Sequence, residues 1–388
     1  MSSSGAVVVG GDFLGLGIVR SLGRHGIPVC VIDDEQSIAR FSRFSSLSVR
    51  VHDLRNPERV TEALLEIGSR YHLDGWVLFP TRDETVAAIA LNRPLLEQTY
   101  RLTTPGWDVV RWVWDKRNTY ALAERLGIAT PRTWYPASVE DLAAIDGPGP
   151  FVIKPAIKEH FIYATKAKAW RADNRTQLAT QFSRATRIAG EGEIMIQELI
   201  PGTGSQQFAY CAFIKEGRAL GSMVVRRRRQ HPPEFGRAST YVETLESSEL
   251  EATSLKFLRE LDFYGLVEVE YKLDPRDGRH KLLDVNARAW GYHSIGYVAG
   301  VDFPYMVFTD QMGIPMSPRK ASPGVQWVRL LTDVPTALVE LRGGTLKWRS
   351  YLSSLRRAGV EAVFSREDLV PWLAELALTP YLALKRGF

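Results

Sequence analysis

Glu268, Glu270, Asp284, Asn286 and Arg288 are the side chains with the most chemistry to offer, and their spacing places them together. The stretch from 265 to 288 reads GLVEVEYKLDPRDGRHKLLDVNAR. Val267, Val269 and Tyr271 alternate with Glu268, Glu270 and Lys272, the two-residue period of a half-buried β-strand. Residues 274–278, DPRDG, are turn chemistry, with proline to preset φ and glycine to accept a positive one. A second strand over 280–288 follows. With 274–278 as the loop, Leu273 is expected opposite Arg279, so even positions of both strands share a face. Glu268, Glu270, Asp284, Asn286 and Arg288 then converge. Such an acidic group repels itself unless a cation joins it, and hard oxygens with one neutral amide suit Mg2+ held jointly with phosphate. The alternative is a solvated hairpin face with scattered charges.

Cations at other strand ends point to the same kind of ligand. Lys154 ends the apolar run FVIK and is closed off by Pro155, a placement that can hold phosphate as a point charge. Lys158, Lys166 and Lys168 follow in a segment expected to be a loop able to close over an anion. Lys116 and Arg117 open a helix capped by Asp115 and ended at Gly127, where cations oppose the macrodipole and hint at an anionic partner. EIMIQELIPG predicts a strand and a short linker whose backbone can meet a purine edge. Residues 226–229 are four arginines on a predicted strand, so alternate pairs face opposite ways. One pair is expected to enter the cleft and orient a carboxylate. We assign this to Arg226 and Arg228, with Arg227 and Arg229 as the alternative.

The elements that position these residues read as α/β. Residues 6–9 are an apolar strand, followed by glycines 10, 11, 15 and 17, a helical pattern and a strand over 29–32. This is a βαβ unit of a doubly wound sheet, and its glycine spacing is not that of a dinucleotide site. The strand over 75–79 leads into PTRDE, where Asp83 and Glu84 could hold an amine at a strand's carboxyl end. The 388 residues exceed one core, and 45% hydrophobic with 24% charged residues is ordinary for a globular protein. The net charge of +5 is mild. Basic residues without aromatic platforms argue against nucleic acid as partner. Two cysteines in apolar runs suggest buried thiols, and no apolar run reaches the roughly 20 residues of a membrane span. A cytoplasmic location is expected. The apolar stretch 369–384 predicts a helix packed on the body or on the second subunit of a homodimer.

The order of Lys116, FVIKP, IQELIPG, the basic strand, VEVEYK and LLDVNAR resembles the ATP-grasp superfamily, in its carboxylate–amine ligase branch. The resemblance covers residues from about 5 to about 318. It implies a doubly wound N-terminal domain (1–114), two α+β subdomains clamping ATP (115–194 and 195–318) and a C-terminal extension (319–388). It further implies that Lys116 and Lys154, with Lys166, hold ATP phosphates and that Gln197, Glu198, Leu199 and Ile200 form the adenine hinge. Glu270, Asp284 and Asn286 would bind Mg2+, with Mn2+ as a substitute, and Arg288 would serve phosphoryl transfer. The chain departs from the family in having Asp284 for the usual Glu. A lysine-bearing segment stands for the glycine-rich loop, and Gln206 or Gln207 for the acid near the ribose. The activity implied is joining a small-molecule carboxylate to an amine, such as an amino acid, through an acylphosphate. A nucleotide-binding regulatory module is the alternative.

Overall fold

Three sheets organise the chain, and their register fixes what faces the cleft. The computed structural model describes residues 4–386. The first sheet is parallel, in the order Leu47–Arg50, Val29–Asp33, Ala6–Val9, Trp76–Pro80, Tyr100–Leu102. Its central strands are buried on both faces, which is why they read as unbroken valine-rich runs. The glycine turn serves packing. Gly10 has φ +96°, and a Cβ at Gly15 would lie 2.0 Å from the Gly10 carbonyl, so the helix Phe13–Arg24 can sit close on the strand. Asp12 caps that helix by accepting from Leu14 N at 3.0 Å.

The second sheet is antiparallel and four-stranded, in the order Thr133–Trp134, Ile194–Glu198, Phe151–Pro155, Trp170–Ala172. It packs on the helix Arg175–Ala189 through Phe151, Ile153, Leu178, Phe182 and Ile196. The expected break at 194/195 falls inside this sheet, because Ile194–Glu198 pairs with Phe151–Pro155 in full register. The chain leaves the sheet only after Glu198. The helix Lys116–Arg125 spans both units: Lys116 N donates to the Ala156 carbonyl at 3.2 Å, while Tyr120 donates to the Leu283 carbonyl at 2.8 Å and shares a core with Val267 and Val269.

The third sheet has eight strands. Its path is His280–Asn286, Gly265–Leu273, Gln207–Lys215, Arg218–His231, Ala238–Leu245, Gln326–Val328, Val360–Glu361, with Arg319–Lys320 alongside Arg218–His231. The expected C-terminal extension is therefore the edge of this sheet, because Gln326–Val328 pairs with Ala238–Leu245 and takes Val360–Glu361 beside it. Buried ion pairs fasten the region further: Arg229 to Asp333, Arg329 to Glu375 and Arg20 to Asp368. The chain closes with the helix Val370–Arg386, as expected. Among the described residues no helix is long and apolar enough to cross a membrane. Cys30 and Cys211 are buried free thiols.

Candidate active site

The hairpin carries the acidic face, with a corrected register. Leu273 lies opposite His280 rather than Arg279, and a bulge after Glu270 adds one further residue. Two single-residue shifts restore the parity, so Glu270 faces Asp284 and Glu268 faces Asn286. Asn286 Nδ2 donates to Glu268 Oε2 and Glu270 Oε1, both at 3.1 Å. Two acceptor-only carboxylates fix the amide's orientation, and Oδ1 is turned to Lys158 Nζ at 2.9 Å. Tyr292 donates to Glu268 from behind. Burial, with the Glu270 charge adding to it, pushes the Glu268 carboxyl up to about 7.

Each metal-binding candidate is paired with a cation. Lys116 Nζ lies 2.8 Å from Asp284 Oδ1, and Arg227 Nη2 lies 3.2 Å from Glu270 Oε2. Burial alone would raise Asp284, but Lys116 and Lys158 outweigh it and hold the carboxyl well below its usual range. Among the described residues no three histidine, cysteine, aspartate or glutamate side chains gather at one point. Arg288 Nη2 and Lys158 Nζ both reach Asp83 Oδ2, at 2.8 and 2.7 Å. Glu84 is buried and accepts from the Tyr163 hydroxyl. Asp83 and Glu84 thus stand at the carboxyl end of the first sheet, both engaged with the second unit or with Arg288.

A cavity of about 140 Å3 runs from the hinge to this face. Lys116, Lys154, Lys158, Lys168, Arg227, Glu270 and Asp284 line it. Lys154 donates to the Tyr120 hydroxyl at 2.8 Å and has no acidic partner among the described residues. Burial, with Lys116 adding to it, pushes its ammonium down to about 7. Lys168 is also pushed down by burial and forms no hydrogen bond or ion pair among the described residues. At the hinge, Gln197 and Glu198 turn their side chains away, to Thr133 and to Lys281 and Arg276. Leu199 N donates to the Pro150 carbonyl at 3.2 Å, and Lys272 takes the Ile200 carbonyl at 2.8 Å. The Ile200 N–H finds no acceptor among the described residues, so the hinge offers its backbone donor there.

Two expectations are corrected and one is narrowed. Arg226 and Arg228 lie off the cleft: Arg226 donates to the Ser205 carbonyl, and Arg228 pairs with Glu243 at the surface. Two pairings carry the cause. Gln207 opposite Lys272 and Ala209 opposite Glu270 put odd positions of Gln207–Lys215 on the acidic face, and Gln207 opposite Arg227 passes that face to odd-numbered arginines. Arg227 enters, while Arg229 turns to Asp333 beyond a register shift. Lys166 is exposed and caps the helix Lys158–Thr165 at φ +55°, because the expected loop is helical; Lys158 and Lys168 line the cavity instead. Gln206 folds over Gly202, while Gln207 lines the cavity and accepts from Arg227. Arg227 belongs to the alternative pair, and its direction depends on two non-local pairings that the sequence does not report, whereas Lys158 and Lys168 are legible as bases near Lys154.

No protein-family model matches the chain. A curated relative, D-aspartate ligase of Enterococcus faecium (strain Aus0004), is 20% identical over 300 residues, 73% of this chain and 70% of that protein. Among solved structures, the L-amino acid ligase of Bacillus licheniformis superimposes with TM-score 0.61 at 16% identity, covering 81% of this chain and 75% of that one. N5-carboxyaminoimidazole synthetase of Staphylococcus aureus with ADP gives 0.64 at 14% identity, covering 83% and 80%. Biotin carboxylase of Campylobacter jejuni gives 0.65 at 14%, covering 83% and 74%. At such identities the superpositions establish a shared fold.

Proposed function

We propose, for a chain that belongs to the ATP-grasp superfamily of ligases and has its fold, that it activates a small-molecule carboxylate with ATP and joins it to an amine. A carboxylate oxygen attacks the γ-phosphorus, the bond from that phosphorus to the bridging oxygen breaks, and ADP leaves. The amine nitrogen then attacks the acyl carbon. A C–N bond forms, the bond to the phosphate oxygen breaks, and phosphate leaves as the nitrogen gives up a proton.

The observation that carries this reading is the pair Lys154 and Lys168. Both line the cleft half-buried, with no carboxylate in hydrogen-bonding contact among the described residues, against a face bearing Glu270, Asp284 and Asn286. Lysines gathered at that density, with only distant carboxylates to offset them, call for a polyanion. The free Ile200 N–H takes the adenine end, and Lys154, Lys116 and Lys168 take the phosphates. The oxygen set also fits Mg2+ or Mn2+, since two carboxylates and one amide carbonyl share a face and their present partners are lysine and arginine side chains that phosphate would draw away. When bound, the metal neutralises phosphate charge. Arg227 orients the acceptor carboxylate, in place of Arg226 and Arg228. Arg288 lies at the transferring group. The amine is assigned to the Asp83 end, where Oδ1 has no partner among the described residues. The relative's D-aspartate and the neighbour's L-amino acids make amino acids the class to try first. Pairs of amino acids, screened for stimulated ADP release with Mg2+, test the reading; a protein that binds ATP yet responds to no pair is the regulatory module instead.

A further inference from the structure

Lys158 lies where three parts of the fold meet. It opens the helix Lys158–Thr165, and its Nζ touches Asp83 Oδ2 at 2.7 Å and Asn286 Oδ1 at 2.9 Å. Arg288 Nη2 converges on the same Asp83 oxygen at 2.8 Å and on the same Asn286 oxygen at 3.5 Å. Two cations gripping one carboxylate oxygen describe a site shaped for an oxyanion with more charge than Asp83 carries. The side chain also stands in the wall between two spaces. It lines the nucleotide cavity and a neighbouring one of about 20 Å3, bounded by Asp83, Glu159, Val110, Val113 and Trp114. Its Asn286 partner belongs to the hairpin face of Glu268 and Glu270, whereas the Ile200 carbonyl at the hinge is taken by Lys272.

We propose that Lys158 is a catalytic residue that binds the phosphoryl group in transfer, and that Asp83 holds it there until the ligands arrive. The proposal rests on the ligase reading above and assigns it a residue. Lys158 is the first residue of the helix Lys158–Thr165, whose opening turn has no side-chain cap, so its side chain adds a full charge at the end where the helix is already electropositive. Lys158 keeps its proton throughout. It donates to oxygens of the transferring group while the carboxylate–phosphorus bond forms and the phosphorus–bridging-oxygen bond breaks. Its position depends on the N-terminal unit, because Tyr163 of the same helix donates to Glu84 and lies under the Arg55 guanidinium at 4.1 Å. The helix that brings the charge is therefore docked against the unit to which the amine is assigned.

The test is calorimetric binding of Mg-ADP and of Mg-β,γ-imido-ATP to wild type and to Lys158→Met, Lys158→Arg and Asp83→Asn. Lys158→Met is expected to weaken the imido analogue about tenfold or more and to leave ADP within about twofold. Lys158→Arg keeps the charge and should keep most of the preference for the analogue. Asp83→Asn releases the lysine, so the analogue should bind at least as tightly as to wild type. Equal losses for ADP and analogue in Lys158→Met and Asp83→Asn mean a structural role and overturn the proposal, as does an unchanged analogue affinity in Lys158→Met. A wild type that binds neither nucleotide overturns the ligase reading itself, a pattern distinct from both.

Discussion

Lys116 Nζ sits 2.8 Å from Asp284 Oδ1, so a cation assigned to phosphate and a carboxylate assigned to metal are paired with each other. The pair is nearly buried, and charges taken out of water must find partners there. On the proposed function, metal-nucleotide binding would exchange partners, with Lys116 passing to phosphate as Asp284 passes to the cation. Asp284→Asn keeps the shape and removes the charge. It is expected to raise the Mg2+ concentration for half-maximal turnover about tenfold and, because Lys116 loses its carboxylate, to lower the unfolding midpoint, whereas Asp284→Glu keeps the charge and should keep the midpoint. Asp284→Glu restores the longer carboxylate usual in the family and should hold or raise activity. A magnesium titration of ADP release checks both, and collapse of stability in both variants would make the face structural.

Lys154 should make nucleotide binding take up a proton. Its ammonium is pushed from 10.5 to about 7 by burial, with Lys116 adding to it. The folded protein therefore binds fewer protons at this site than the unfolded chain between about 7 and 10.5. The penalty on folding is complete below that window and eases as pH rises through it. Phosphate supplies the missing counter-charge and draws the proton back. At pH 8, binding heats for Mg-ATP should differ between two buffers of different ionisation enthalpy, and apparent affinity should fall as pH rises from 7. Lys154→Ala should abolish the buffer dependence and weaken binding sharply. Equal heats in both buffers for wild type would rule the proton uptake out.

Much of this site was legible because it depends on local pattern. The alternation around Glu268 and Glu270, the DPRDG turn and the acids of the returning strand are nearest-neighbour signals, and they place Glu270, Asp284 and Asn286 on one face. What the pattern does not carry is register across distance. A one-residue shift at the turn and a second at the bulge after Glu270 together move the pairs of Glu268 and Glu270 by two residues without changing the face. Arg227 faces Glu270 only through the pairing of two further strands, and the run of four arginines has no alternation of its own to report. The helix Lys158–Thr165 has no side-chain N-cap, and its β-branched and aromatic residues favour other states. It is held by Lys158 and Tyr163 reaching other parts of the fold. The edge strands Gln326–Val328 and Val360–Glu361 are too short for any periodicity.

The arginines separate by function. Arg227 is buried against Glu270 and Gln207, while Arg228 pairs with Glu243 at the surface. Arg227→Lys loses the guanidinium fork and should lose most ADP release at saturating carboxylate, about tenfold or more. Arg228→Lys should keep nearly all of it and cost about 0–1 kcal/mol of stability. Steady-state rates of the two variants side by side decide the matter, and equal losses would remove Arg227 from the cleft.

Arg229 should matter to folding rather than to turnover. Nε and Nη2 grip Asp333 at 2.8 and 2.9 Å, Thr240 donates to the same carboxylate at 2.8 Å, and Asp333 is fully buried. Nη1 reaches Ser354, and the guanidinium lies over the Tyr241 and Tyr351 rings at 4.3 and 5.1 Å. This one side chain thus joins the arginine strand to the helices Leu330–Arg342 and Trp348–Arg357, which an edge of three- and two-residue strands could not hold alone. Arg229→Met leaves the Asp333 charge buried with only a hydroxyl donor, at a cost of about 3–5 kcal/mol. Replacing both, Arg229→Met with Asp333→Leu, removes the stranded charge and should recover a large part of that loss. Urea unfolding followed by tryptophan fluorescence reads the difference, with Trp348 on one of the helices concerned. A double variant no more stable than Arg229→Met alone would mean that the aromatic stacking, and not the ion pair, fastens the C-terminal helices to the sheet.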